Sequence, residues 1–359
     1  MKIGILTYHR SHNYGALLQA IGLRHILLQK GHNVYFIDYW PEYHQRVYDN
    51  FSWKGLCKLS IKEKLSYIKR WAFLHDAKKE RIDRFNAFID EFITPYCLPY
   101  NDVLNYDIVI YGSDQIWRKQ LYSKDNYFND VYFADNLLKT NKHVAYAASM
   151  GQVKLSEKDK GYLKSKLIRF DKIAVRETDL LENINLLGFS ARQVLDPTLL
   201  ITSEEWDKII LPERKIKEPY ILYYRLQDSF DDNRVKEAAR IRGCKLITIV
   251  GSVCRKKEGV LPTEAPRDFI SLIKYADFVF TSSFHGLAFS LIYKRQFFCS
   301  MVTSPSRVKS LLEKVGLSRR FLSPQNASFP IFPTMIDYDS VDEEMEFIKQ
   351  SSITYLNEL

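Results

Sequence analysis

The sequence predicts an α/β protein made of two Rossmann-like units facing each other across a cleft. Three observations carry this. Short apolar runs of strand length alternate with helical patterns along most of the chain. The alternation gives way to a linker after residue 197 and restarts with "EPYILYYRL". The length, 359 residues with 46% hydrophobic content, suits two units, each with its own core.

The first unit spans residues 1–197. "KIGILTY" reads as a buried parallel strand. The loop "HRSHNYG" leads into "ALLQAIGLRHILLQKG", a helix closed by Gly31. "NVYFIDY" is the next strand. Repetition of this unit implies a parallel sheet with right-handed crossovers. Residues 54–93 form a helical insertion, read as two helices with mixed charge and apolar stripes. "YDIVIYGSDQIW", "HVAYAAS", "KIAVRETD" and "ARQVLDPTLL" add strands, with a polar helix near 156–168, for about six strands in all.

The second unit spans residues 198–339. Its strands are "EPYILYYRL", "CKLITIVGS", "ADFVFTSS" and "RQFFCSMV". Helices fall near 233–242, near 266–275 and from His285. Residues 340–359 form a terminal helix, with Ser340 and Glu343 as a capping box. Val341, Met345, Ile348, Tyr355 and Leu359 make one apolar stripe on it.

Composition narrows the function. The net charge of +9 admits an anionic substrate, an anionic membrane surface or nucleic acid. No zinc-finger spacing or RNP-like motif supports nucleic acid. The 23 Tyr and 22 Phe suit sugar-facing clefts, although aromatic cores are the commoner reason for such numbers. Five scattered cysteines without CxxC spacing read as free thiols of a reducing compartment. The N-terminus lacks a signal-peptide pattern, and no apolar run is long enough to span a bilayer. The expected location is cytoplasmic.

Ligands of open parallel sheets bind at the carboxyl ends of strands. Four junctions there carry chemistry. In "TSSFHG", His285 opens a helix at the expected cleft mouth, where backbone N–H groups favour anions. Ser283 stands beside it, and Gly286 allows close approach of a ligand. In "AVRETD", Arg176 can fork onto a carboxylate or phosphate, or serve a surface ion pair. In "YGSDQIW", Ser113, Asp114 and Gln115 with Trp117 can grip a sugar, unless Asp114 only binds turn amides. In "HRSHNYGA", Asn13 and Gly15 look like a phosphate-cradling turn, without GxGxxG or the Walker pattern.

In chain order, "NYGALLQA", "IVIYGSDQIW", "AYAAS", "VRET", "VLDPTLL" and "SSFHGLAFSLIYKRQF" resemble the polysaccharide pyruvyl transferase family. "GSDQIW" and "SSFHG" in one chain carry most of the likeness, which runs from about Lys2 to about Leu317. The resemblance implies a GT-B-like fold. It also implies transfer of pyruvate from phosphoenolpyruvate to a sugar of a cell-surface glycan or lipid-linked precursor, forming a cyclic ketal and releasing phosphate. The family's essential arginine and histidine match Arg176 and His285. Its further basic residue, a lysine in some members, matches Arg307, with Lys309 as the competing assignment. No metal or cofactor is implied, and no metal-ligand cluster is apparent in the sequence. Asp114 and Asp196 are the candidates for removing the acceptor proton. Two alternatives remain open: a glycosyltransferase using a nucleotide sugar, and a non-catalytic sugar- or nucleotide-binding protein.

The insertion raises one more expectation. Ten basic residues lie between Lys54 and Arg84, among Trp53, Leu65, Ile68 and Trp71. That is the pattern of a peripheral membrane anchor. The competing reading packs these helices on the first unit, with Glu63, Asp76, Glu80 and Asp83 pairing the charges.

Overall fold

The computed structural model describes all residues except 49–50, 52, 58, 121–127, 152–153, 255–256 and 325–328. Lys58 of the basic segment and the side chain of Lys54 lie outside the described set.

The first sheet takes seven strands: β1 (Lys2–Leu6), β2 (Asn33–Asp38), β3 (Cys97–Pro99), β4 (Asn105–Tyr111), β5 (Lys139–Ala148), β6 (Lys172–Val175) and β7 (Arg192–Gln193). Their order is β3-β2-β1-β4-β5-β6-β7, parallel throughout. Connections run outward from β1 to β3 and then return to β4 on the other side. The direction therefore reverses between β1 and β4, where such sheets open a ligand crevice. Ile3, Ile5, Leu6 and Val109 are fully buried, as strands covered on both faces require.

Six helices belong to this stretch: α1 (Tyr14–Gln29), α2 (Glu42–Tyr48), α3 (Trp53–Cys57), α4 (Ile61–Phe92), α5 (Glu157–Leu167) and α6 (Thr178–Leu186). Gly31 follows α1 at φ 79°, a left-handed position that glycine adopts without a Cβ penalty. Helix α7 (Ser203–Ile210) follows a 3-10 turn at Pro197–Leu200. The second sheet is also parallel, with strands β8 (Tyr220–Arg225), β9 (Lys245–Val250), β10 (Val260–Leu261), β11 (Phe278–Thr281) and β12 (Phe297–Cys299). Its order, β10-β9-β8-β11-β12, reverses between β8 and β11. Helices α8 (Asp232–Ile241), α9 (Pro266–Lys274), α10 (Phe284–Ile292), α11 (Ser306–Lys314) and α12 (Tyr338–Asn357) complete the fold.

The structure departs from the sequence reading in four places. Strands β3 and β10 are additional; with three and two residues they are too short to show a pattern. The insertion holds a five-residue helix and one continuous 32-residue helix, not two comparable ones. Helix α12 starts before Ser340, because Asp337 caps it by accepting from the Asp339 amide. The two units also pack tightly. The Tyr14 ring stacks on Phe269 with centroids 4.6 Å apart, and its hydroxyl donates to the Glu264 carbonyl at 2.8 Å. One hydrophobic core runs through both units.

The terminal helix returns to the first unit. Tyr355 donates to the Ala145 carbonyl at 2.9 Å, and Ser352 accepts from the Leu195 amide at 2.9 Å. Val341, Met345 and Tyr355 are buried, while Ile348 and Leu359 are partly buried against the same core.

Candidate active site

The carboxyl ends of β4, β5 and β6 converge with the amino ends of α1 and α10. Arg176 directly follows β6, and its amide donates to the Ala148 carbonyl at the end of β5. Its Nη1 donates to Asp196 Oδ2 at 2.5 Å, with both side chains withdrawn from solvent. The other oxygen of Asp196 accepts from the Thr198 amide at 3.0 Å and from its hydroxyl at 2.8 Å. Ser113 adds a longer bond to Oδ2 at 3.3 Å. Burial works to raise the Asp196 carboxyl pKa, but His285, Arg176 and the Thr198 amide hold it well below the usual carboxylate range.

His285 comes from the second unit. Its Nε2 lies 3.5 Å from Asp196 Oδ2, and its ring lies against Gly15 at the start of α1. A Cβ at Gly15 would fall 1.9 Å from Nδ1, so this approach requires glycine. His285 is buried rather than lying open at a cleft mouth, because the amino end of α10 docks on that of α1.

Arg307, on α11, completes the cluster. Its guanidinium lies 5.4 Å from the Phe284 ring centroid, and that of Arg176 lies 5.1 Å from the same ring. In the amide orientation that satisfies both partners, Gln115 Oε1 accepts from Arg307 Nη1 at 3.1 Å and Nη2 at 3.0 Å. Burial and the neighbouring Arg176 bring the Arg307 guanidinium down to about 10. Lys309 points elsewhere, over the Phe321 ring at 5.0 Å.

Several polar atoms here are shielded from solvent without a hydrogen bond to protein: Arg176 Nε and Nη2, Arg307 Nε, His285 Nε2 and Glu177 Oε2. Buried donors left unpaired are costly. Two guanidinium groups sharing one ring, with N–H groups to spare, form a receptor for an anion rich in oxygens. Glu177 is the residue that the sequence reading missed. It is fully buried, accepts from the Ser149 hydroxyl, and burial pushes its carboxyl pKa up. Its position beside Arg176 in "VRET" is the signal that could have found it.

The remaining candidates divide. Ser113 joins the Asp196 network. Asp114 sits in a left-handed conformation at φ 80° and accepts from the Gln115 amide at 2.7 Å, as the turn reading expected. Asn13 caps α1, accepting from the amides of Gly15 at 2.9 Å and Ala16 at 3.3 Å, so its oxygen is occupied. Ser283 caps α10 by accepting from the Gly286 amide. Gly286 answers to packing: a Cβ there would lie 2.0 Å from Thr281 Oγ1 and 3.0 Å from Tyr224. Trp117 is no sugar platform. It is fully buried, stacks on Phe133 and donates to the Tyr132 carbonyl at 2.9 Å.

Among the described residues one metal-like cluster, invisible in the sequence because it joins three segments, gathers His9, Asp38 and Cys97. Arg10 forks onto both oxygens of Asp38, at 2.5 and 2.6 Å, and neutralises it. Burial pushes the Cys97 thiol up to about 11. The cluster reads as a structural ion pair under the β1 loop.

The Gly15 contact gives a direct prediction. Gly15→Ala should fold, since alanine suits a helix, but its methyl must displace the imidazole. A shift of about 1 Å in a reacting group costs roughly 10²-fold in rate. Turnover equal to wild type in a folded Gly15→Ala protein would show that the observed His285 position is not the working one.

Fold and site together define a two-unit α/β protein with a histidine, two arginines and buried carboxylates where its units meet. The sequence model of the polysaccharide pyruvyl transferase family matches residues 13–302. The chain belongs to that family, which places it among transferases that modify polysaccharides. No curated protein matches the chain. Among solved structures it is similar to the E. coli heptosyltransferase WaaC with ADP, at 13% identity and a TM-score of 0.42, covering 97% of this chain and 99% of that one. It is also similar to the Methanocaldococcus jannaschii UDP-GlcNAc 2-epimerase in complex with UDP-GlcNAc and UDP, at 11% identity and a TM-score of 0.42, covering 97% and 93%.

Proposed function

We propose that the protein transfers pyruvate from phosphoenolpyruvate to a sugar of a cell-surface polysaccharide or its precursor, forming a pyruvate ketal and releasing phosphate. The observation that carries this is the set of unpaired guanidinium N–H groups beside a buried histidine. Phosphoenolpyruvate brings a carboxylate and a phosphate, and two arginines can fork onto them. His285 is then the proton donor to the methylene carbon. Protonation leaves an oxocarbenium-like centre. One sugar hydroxyl forms a C–O bond to it, the C–O bond to phosphate breaks, and a second hydroxyl closes the ketal. The two hydroxyl protons balance the one delivered to carbon and the one carried off by phosphate. The arginines stabilise the charge that develops on the leaving group.

Asp196 makes a poor base. Its oxygens are already engaged, and a carboxylate held so far down in pKa accepts a proton weakly. It orients Arg176 and faces His285. Glu177, with a free oxygen and a raised pKa, suits proton acceptance better, alongside Asp114. No metal or cofactor enters this scheme.

The test is phosphate release from phosphoenolpyruvate with a panel of free and lipid-linked glycosides. Mass spectrometry should show an acceptor gaining a pyruvate ketal. Tight binding of a nucleoside diphosphate, with phosphoenolpyruvate left intact across the panel, would favour the nucleotide-sugar alternative. Saturable sugar binding with no phosphate release would favour a non-catalytic role.

A further inference from the structure

Helix α4 has two halves of different character. Its C-terminal half is bound to the body: Arg81, Phe85, Phe88 and Ile89 are buried. Arg81 donates to the Pro262 carbonyl of the second unit at 2.8 Å, and Arg84 approaches Asp268 at 3.5 Å. The N-terminal half exposes apolar surface. Ile61 is 80% exposed, Leu65 58% and Ile68 43%. Their spacing, i, i+4 and i+7, places them on one face, and Ala72 continues it. On another face, Tyr67 and Trp71 hold Phe51, with ring centroids 5.5 and 5.3 Å apart. Trp53 on the adjoining α3 is 72% exposed.

The charge around this stripe has one dominant sign. Ile61–Lys79 contains six basic residues and two acidic ones. Of the two acids, Glu63 is engaged in the Ser60 capping box. No salt bridge joins Lys62, Lys64, Lys69 or Lys79 to a carboxylate among the described residues; of the pairings expected from the acids, that of Glu80 is seen, with Arg84 at 2.8 Å. No helix in the described residues is long and apolar enough to cross a membrane.

We propose that this half of α4 docks in the plane of an anionic lipid surface, with Ile61, Leu65 and Ile68 entering the headgroup boundary and the flanking lysines meeting the charge. An apolar stripe bordered by lysines matches the two layers of such a surface, and Trp53 is of the type that settles at that depth. A second copy is a poor occupant, because it would bring the same net charge of four against itself. Nucleic acid offers the charge without the apolar layer. The inference stands apart from the transfer reaction and does not depend on it.

The test is co-sedimentation of the full chain with vesicles of phosphatidylcholine alone or mixed equally with phosphatidylglycerol. Two variants accompany it: Lys62→Gln/Lys64→Gln/Lys69→Gln/Lys79→Gln, and Ile61→Ser/Leu65→Ser/Ile68→Ser. Both change exposed or half-exposed positions, so wild-type melting temperatures are expected. Binding should need phosphatidylglycerol and fade in high salt. Each variant should lose at least about tenfold in partitioning. Equal sedimentation with both vesicle types, none with either, or wild-type binding by either variant would overturn the proposal. So would a dimer in sedimentation velocity that binds no vesicles and dissociates in the Ile61→Ser/Leu65→Ser/Ile68→Ser variant.

Discussion

His285→Ala should lower phosphate release from phosphoenolpyruvate by about 10²–10⁴-fold, the usual cost of removing a general acid. The loss should fall on kcat, because the guanidinium groups that would hold the donor remain. The fold should persist. Asp196 keeps Arg176 and Thr198, so no buried charge loses its last partner. Kinetics in a variant with a wild-type melting profile checks this. Near-normal turnover would remove His285 from the proposed mechanism.

Arg176→Lys should weaken donor binding rather than the chemical step. Lysine can keep the ion pair with Asp196, which matters because breaking a buried pair costs about 3–5 kcal/mol. It cannot replace the planar fork. The atoms lost are Nε and Nη2, the two with no protein partner. Charge-assisted hydrogen bonds contribute about 1.5–3 kcal/mol each, so the Kd for phosphoenolpyruvate should rise by roughly 10-fold or more. Calorimetry measures this directly. Unchanged affinity would mean that those N–H groups face something other than the donor.

The sheets were legible in the sequence because parallel strands buried on both faces must be apolar runs, and "DIVIY" and "DFVFT" cannot be mistaken for surface. Strands β3 and β10 were not, since two or three residues paired at a sheet edge carry no period. The site was legible as far as strand ends go. His285 and Arg176 announce themselves there, and Arg307 was reached through the likeness to a family. What stayed hidden was partnership. Nothing local in "NYGALL" says that its glycine is shaped for an imidazole 270 residues away, as the structure shows. Nothing in "GSDQIW" says that its tryptophan faces the core while Gln115 faces Arg307. Glu177 was passed over because a carboxylate next to an arginine usually reads as a solvated neighbour.

The meeting of His285 with Gly15 and Asp196 also limits how such a chain can diversify. Two-unit enzymes are often treated as modular, with one half free to be exchanged while the other is kept. Here a graft of either half would have to carry the matching contact across the seam: a glycine for the ring, and a carboxylate on the connecting turn. A hybrid joined at the linker would therefore need a glycine at position 15 and a carboxylate at position 196 to receive the histidine of the other half.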